Sequence, residues 1–404
     1  EGWAGYHLRG IDNAVVEGVF REYYPAAPGD PGHLMKALKA EGTWYYDVPV
    51  LTTPPLLPLL IMSSHRIYPG REAPYRVFPW KLNISDATWV HKARPVIIRT
   101  QAYAAVWPFV FGLGLIAATY FLGRTLYPQG VGLVAAYLVA TSPVVILCVH
   151  KVWADHPTAF FVTASVMCFV IAEQRGVVWP AALGGVCWAL AALAKGTGLL
   201  PVPVVVLFRL WTARRHWRRP GIFIRSVADR RLLVFLGAGA LLAGPWFVWM
   251  AKVYGYPLFN MSSAQTEKSA DWFQSLGSRP RMLYVVNLFA QTPLLALSIL
   301  WPFSRRRIRP ALPGAVMMFV LAVAVLIYVL WNARELRYMM PVLPMIAILA
   351  AVVVEDARRS LAARWSPLGA NVLTLLIVFA SSVGSMWLGL SASYRGDALI
   401  LFPL

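Results

Sequence analysis

The chain has 404 residues, 58% of them hydrophobic and only 14% charged. Soluble domains carry about 25% charged residues, so this composition excludes an ordinary soluble domain and indicates an integral, all-α membrane protein. The net charge of +19 would suit a nucleic-acid partner, but the arginines stand in short loops between apolar runs. Positive charge on cytoplasmic loops accounts for that pattern, and no nucleic-acid partner is expected.

Residues 1–95 form a first region of mixed composition. Val15 to Tyr24 and Leu34 to Ala40 each fit a short amphipathic helix. Residues 54–68 are too short and too proline-rich for a span and fit an interfacial helix, and 69–95 reads as a polar loop. Because the chain opens at Glu1 with no methionine, a preceding membrane helix is expected.

The transmembrane region covers 96–391 and leaves a tail at 392–404. About ten spans are predicted, near 96–122, 130–149, 157–173, 178–194, 197–211, 232–250, 282–302, 311–331, 338–354 and 369–391. Each approaches the ~20 residues needed to cross ~30 Å of hydrocarbon. The loop at 212–231 holds seven arginines against Asp229, and further arginines stand at 305–309 and 358–364. Placing these loops in the cytoplasm also puts Arg124 and Arg175 inside. The polar residues that look out of place, among them Asp30, His33, Asp155, His156, Lys195 and Arg337, then all fall on the outer face.

Several of these have the chemistry of a site. Asp30, between Gly29 and Pro31 with His33 beyond, reads either as a general base or as the cap of a helix over 31–40. Asp155 precedes His156-Pro157 and reads as a cap or as a second acid, with His156 a hydrogen-bonding partner or proton relay. Lys195 ends an apolar run and is followed by Gly196-Thr197-Gly198, a setting suited to a phosphate or to a snorkelling lysine. Arg337, beside Tyr338, opposes the positive-inside trend, which favours an anionic partner. Arg99 is a weaker candidate of the same kind.

The cysteines Cys148, Cys168 and Cys187 all lie in apolar runs without metal-ligand spacing. There is no Walker A sequence, no GxSxG, no GxGxxG after a strand and no HExxH. No cofactor and no protein-bound metal site is indicated, and dependence on a divalent ion stays open.

The order of these motifs resembles the GT-C membrane glycosyltransferases, above all the bacterial relatives of protein O-mannosyltransferases and aminoarabinose transferases. The resemblance rests on Asp30 with Gly32, Ala37 and Gly42, then Pro54-Pro55-Leu56, Tyr120 to Arg124, Ser142-Pro143, Asp155, Leu193 to Gly196, and Arg337-Tyr338 with Pro341 and Pro344. It implies an inverting transfer of a sugar from a polyprenyl-phosphate donor to a lipid, protein or glycan acceptor. The site would face outward across a bacterial inner or plasma membrane. Asp30 would be the base. Lys195, Arg337, Tyr338 and, in the first span, Arg99 would hold the donor phosphate, and His33, Asp155 and His156 would shape the substrate pocket. Pro31 stands where many relatives carry a second acid, and Thr52-Thr53 where many carry a lysine, which weakens a metal at this loop and an aminoarabinose donor. The alternatives are a transporter or flippase of a lipid-linked anion and a ligase or polymerase of surface glycans. Polar residues near mid-membrane would favour transport.

Overall fold

A computed structural model describes residues 56–57, 59–60, 63, 87–127, 129–149, 154–254, 288–304 and 336–395. The expected features over 1–55, around 69–86, at 311–331 and at 396–404 lie outside the described residues. Every regular element described is helical, in keeping with an all-α membrane protein. The α-helices are α1 (Ala87–Leu126), α2 (Gln129–Ala140), α3 (Pro143–Val149), α4 (Asp155–Arg175), α5 (Trp179–Ala194), α6 (Pro201–Ala213), α7 (Pro220–Val227), α8 (Arg230–Tyr254), α9 (Leu343–Arg364) and α10 (Pro367–Arg395). Tighter 3-10 turns cover Gly196–Leu199, Arg214–His216, Pro293–Leu300 and Leu336–Met339.

Five described segments are long and apolar enough to cross a bilayer, and a sixth is formed if α2 and α3 make one bent span. The bend between them is 58°. Its cause is local: Pro143 cannot continue the hydrogen-bonding ladder of α2, so Ser142 leaves the helix and Pro143 starts a new one. Within the span expected at 282–302, the described residues are α-helical over 288–291 and form a 3-10 helix from Pro293 to Leu300.

The core lies where α4 and α9 are wrapped by their neighbours. Fourteen residues of α4 are buried, and α9 is buried continuously from Leu343 to Val352. By contrast α8 and α10 show Leu241, Leu375, Phe379 and Trp387 on their surfaces, as lipid-facing helices do. The α5–α8 contact is held by polar groups as well as packing. The Trp188 indole donates to the Phe235 carbonyl at 3.1 Å. Across α4 and α5, the Ser165 hydroxyl donates to the Gly184 carbonyl at 2.8 Å. Without water to compete, such bonds specify which helices pair.

These contacts give the bundle two ends. A 21-residue α4 is about 30 Å long at ~1.5 Å per residue, so Asp155 and Arg175 stand at opposite ends. Gln174 donates to the Thr125 carbonyl at 3.2 Å, which puts the C-termini of α1 and α4 at the same end. Arg209 of α6 and Asp229 before α8 join Glu173 there. Lys195, at the far end of α5, returns to the Asp155 end.

Candidate functional site

At the Asp155 end three separate stretches of chain converge. Asp155 opens α4, Lys195 closes α5, and Arg337 and Tyr338 lie in the 3-10 turn before α9. Lys195 Nζ is 2.6 Å from Asp155 Oδ1, and Arg337 Nη1 is 4.0 Å from Asp155 Oδ2. Both cations also approach one ring. Lys195 Nζ lies 4.2 Å from the Tyr338 centroid and Arg337 Cζ 5.4 Å from it, within the range of cation–π attraction.

Local chain geometry explains how Lys195 gets there. Its backbone is extended (φ −161°, ψ 149°), so the chain leaves α5 abruptly and re-enters helix one residue later. The Gly198 N–H donates to the Lys195 carbonyl at 2.8 Å. A side chain at Gly198 would run into the backbone of Ala191 and Ala192. The glycine therefore allows the 196–199 turn to lie flat on α5. The Gly198 N–H is thus engaged within the turn.

Asp155 also departs from its expected role as a helix cap. The N-cap is Ala154, which makes no side-chain capping bond, and Asp155 is the first helical residue. Its carboxylate is turned to Lys195 and Arg337 instead. Burial gives the reason. The Asp155 side chain is 3% exposed, and a carboxylate out of water requires countercharge at close range. The two cations are less buried, Lys195 at 24% and Arg337 at 17%, so the positive side of the cluster is the one that reaches outward.

His156 follows Asp155 but points elsewhere. It is fully buried against α1, where a Cβ on Gly112 would lie 3.2 Å from His156 Cδ2. The structure thus brings together Asp155, Lys195, Arg337 and Tyr338 and packs His156 beside them on the α1 side. Asp30 and His33 lie outside the described residues, and for Arg99 only the backbone, within α1, is described. Among the described residues, no three His, Cys, Asp or Glu side chains meet to hold a metal ion.

Two features went unread in the sequence. Near the same end, Phe111 of α1 lies 5.5 Å from Phe160 and 5.2 Å from Phe161 of α4, with Trp107 6.2 Å from Phe111. The signal was the pair Phe160-Phe161 less than two turns after Asp155. The second is an ion-pair network at the opposite end. Arg209, 7% exposed in its side chain, donates to Glu173 at 3.1 Å and pairs with Asp229. Arg231 joins Asp229 at 2.8 Å and Glu173 at 3.5 Å. Burial pushes the Asp229 carboxyl up, but Arg209, the Leu232 N–H and Arg231 outweigh it and hold it at about 2. The clue was Arg209 inside an apolar run, where a charge needs a partner.

Comparison with known proteins agrees with this architecture. The family model described as dolichyl-phosphate-mannose-protein mannosyltransferase matches residues 88–237, and that of the Alg9-like mannosyltransferase family matches 258–400. No curated protein sequence matches. Among solved structures, the apo oligosaccharyltransferase of Archaeoglobus fulgidus superposes with a TM-score of 0.52 at 14% identity, over 85% of this chain and 48% of that one. ArnT from Cupriavidus metallidurans bound to undecaprenyl phosphate gives 0.53 at 15% identity, over 90% of this chain and 72% of that one. The chain thus spans about half the length of the archaeal enzyme it matches. Two mannosyltransferase family models thus match successive stretches of the chain, and its helical fold is similar to that of these two enzymes.

Proposed function

We propose that the chain transfers a sugar from a polyprenyl-phosphate donor to an acceptor at the membrane face where Lys195 and Arg337 converge on Asp155. That convergence is the observation that carries the reading. Two cations from different helices, held over one tyrosine ring, form a preorganised site for a phosphate monoester. The fold adds support, since the ArnT structure it resembles holds undecaprenyl phosphate.

In this reading Asp30 takes the proton from the acceptor. The acceptor attacks the anomeric carbon with inversion, and the polyprenyl phosphate leaves with the bonding electrons. Negative charge grows on the departing phosphate oxygen, where Lys195 and Arg337 stabilise it without having to reorganise. Asp155 is poorly suited to be the base, because its carboxylate is engaged by both cations. Its role is to fix them. The aromatic cluster of Trp107, Phe111, Phe160 and Phe161 offers apolar surface for isoprenoid carbons. His156, and from the first region His33, shape the substrate pocket, with Arg99 a further phosphate ligand.

The site would face away from the cytoplasm. Arg175, the seven arginines of 214–231, and Arg358, Arg359 and Arg364 belong to the opposite end, where positive-inside bias places the cytoplasm. The reading keeps about ten spans over 96–391, a first outer region over 1–95 and a tail at 392–404. Transport is less well supported, because the charged residues of the described spans lie at their ends rather than at mid-membrane, apart from Arg209, which is held in ion pairs with Glu173 and Asp229.

The test uses the purified chain in vesicles with a polyprenyl monophosphate as probe. Lys195→Ala and Arg337→Ala should each weaken binding about 10- to 100-fold, the worth of one charged hydrogen bond. Asp30→Asn should bind the probe normally yet stop transfer from a labelled polyprenyl-phosphate sugar in membranes that supply the acceptor. Unchanged affinity in both cation variants would refute the phosphate site, and full transfer by Asp30→Asn would remove Asp30 from the mechanism.

A further inference from the structure

The segment between α6 and α8 is built unlike the rest of the chain. The span through α6 ends at His216, the next begins at Arg230, and the short helix α7 lies between them. Both flanks therefore hold α7 at the membrane surface. Yet α7 buries no residue of its own. Trp217 is 70% exposed, Ile224 61% and Ile222 45%. Around these apolar side chains stand Arg214, Arg215, Arg218, Arg219 and Arg225, all exposed. Of the arginines in 214–231, Arg231 is committed to Asp229 and Glu173, and Asp229, the one acid of the stretch, is held by Arg209 and Arg231. The segment consequently presents uncompensated positive charge beside exposed tryptophan and isoleucine.

We infer that residues 214–228 form an in-plane docking surface for anionic phospholipid headgroups in the leaflet opposite the Lys195 cluster. The apolar side chains reach below the headgroups and the guanidinium groups bind phosphate, which is how surface-lying amphipathic helices divide their two faces. Charge complementarity selects this occupant: a zwitterionic surface offers the same apolar depth and no net charge for five arginines. Trp217 fits the headgroup boundary, where an amphipathic indole is most stable. Arg214 stacks 4.0 Å over Trp211, which fixes one guanidinium at the end of α6 at that level. The inference does not rest on the reaction at the other end.

The experiment uses the full chain in nanodiscs of phosphatidylcholine mixed with phosphatidylglycerol, followed by native mass spectrometry of the lipids retained. The wild type should retain phosphatidylglycerol preferentially. Arg214, Arg215, Arg218 and Arg219 changed together to Gln should lose that preference, by about fivefold for each arginine at low salt. These side chains are exposed, so folding should persist. A second measurement needs no charge variant: brominated lipid should quench tryptophan emission more in the wild type than in Trp217→Phe. Equal phosphatidylglycerol retention by the arginine variant would overturn the inference. So would equal quenching with and without Trp217, which would leave the patch to a soluble acidic partner.

Discussion

Changing Lys195 to Met should destabilise the protein through the carboxylate it leaves behind. At 2.6 Å and an effective dielectric constant of ~20, the Lys195–Asp155 attraction is about 6 kcal/mol before desolvation. Much of that offsets the cost of removing the Asp155 carboxylate, 3% exposed, from water. Removing the lysine alone keeps the desolvation cost and loses most of the attraction, since Arg337 remains only at 4.0 Å. The expected loss is about 3 kcal/mol. Asp155→Asn should cost less, because Lys195 is 24% exposed and its ammonium can turn to water. The double variant should be more stable than the sum of the two single losses by at least ~1 kcal/mol. Unfolding in detergent can be followed by reaction of a thiol dye with Cys148, Cys168 and Cys187, all buried in the folded chain. A Lys195→Met protein as stable as the wild type, or strictly additive variants, would refute the buried pair.

Three further outcomes follow from the same structure. Gly198→Ala should push the 196–199 turn off Ala191, costing about 1–3 kcal/mol and weakening binding of a polyprenyl monophosphate; normal binding would show that the turn does not position Lys195. Arg337→Lys should recover only part of the binding lost in Arg337→Ala, because an ammonium cannot reproduce the fork of a guanidinium, and full recovery would reduce Arg337 to a point charge. Asp229 is held at about 2 against an ordinary 3.8, so its contribution to stability is complete above pH ~4 and lost as pH falls towards ~2. The stability gap between wild type and Asp229→Asn should close over that window, and a gap that persisted to pH 2 would contradict the pairing with Arg209 and Arg231.

The membrane class and most described helices were legible in the sequence because length and apolarity alone decide whether a segment can span. Lys195 drew notice as a cation ending an apolar run, which is costly, and Arg337 as a cation on the outer face against the positive-inside trend. What the sequence left open was pairing. Asp155 precedes Lys195 by 40 residues, and only the antiparallel return of α5 along α4 brings them within bonding distance. Without that return Asp155 reads as a cap, since an acid at a helix start is common and local. The Glu173–Arg209–Asp229–Arg231 network was missed for the same reason, its members coming from three helix ends. The bend at Ser142-Pro143 was written in the dipeptide, but a run of 20 apolar residues concealed it as one straight span.

The two charge clusters at the ends of α4 differ in a way that separates structure from function. At the Arg175 end, two arginines meet two carboxylates, and the central Arg209 side chain is 7% exposed. Each charge there is balanced, so another ion would have to break an existing pair. A balanced network of this kind ties helices together, here the end of α4 to α6 and the start of α8. At the Asp155 end, one deeply buried carboxylate is shared by two cations that are each several times more exposed than it is. Two donors of the same sign, from different helices, are held close by the acid between them and by the Tyr338 ring. Their mutual repulsion is offset only in part, and an incoming phosphate would offset the remainder. Exposed charge of one sign, fixed by buried charge of the other, is the arrangement that the proposed phosphate site calls for.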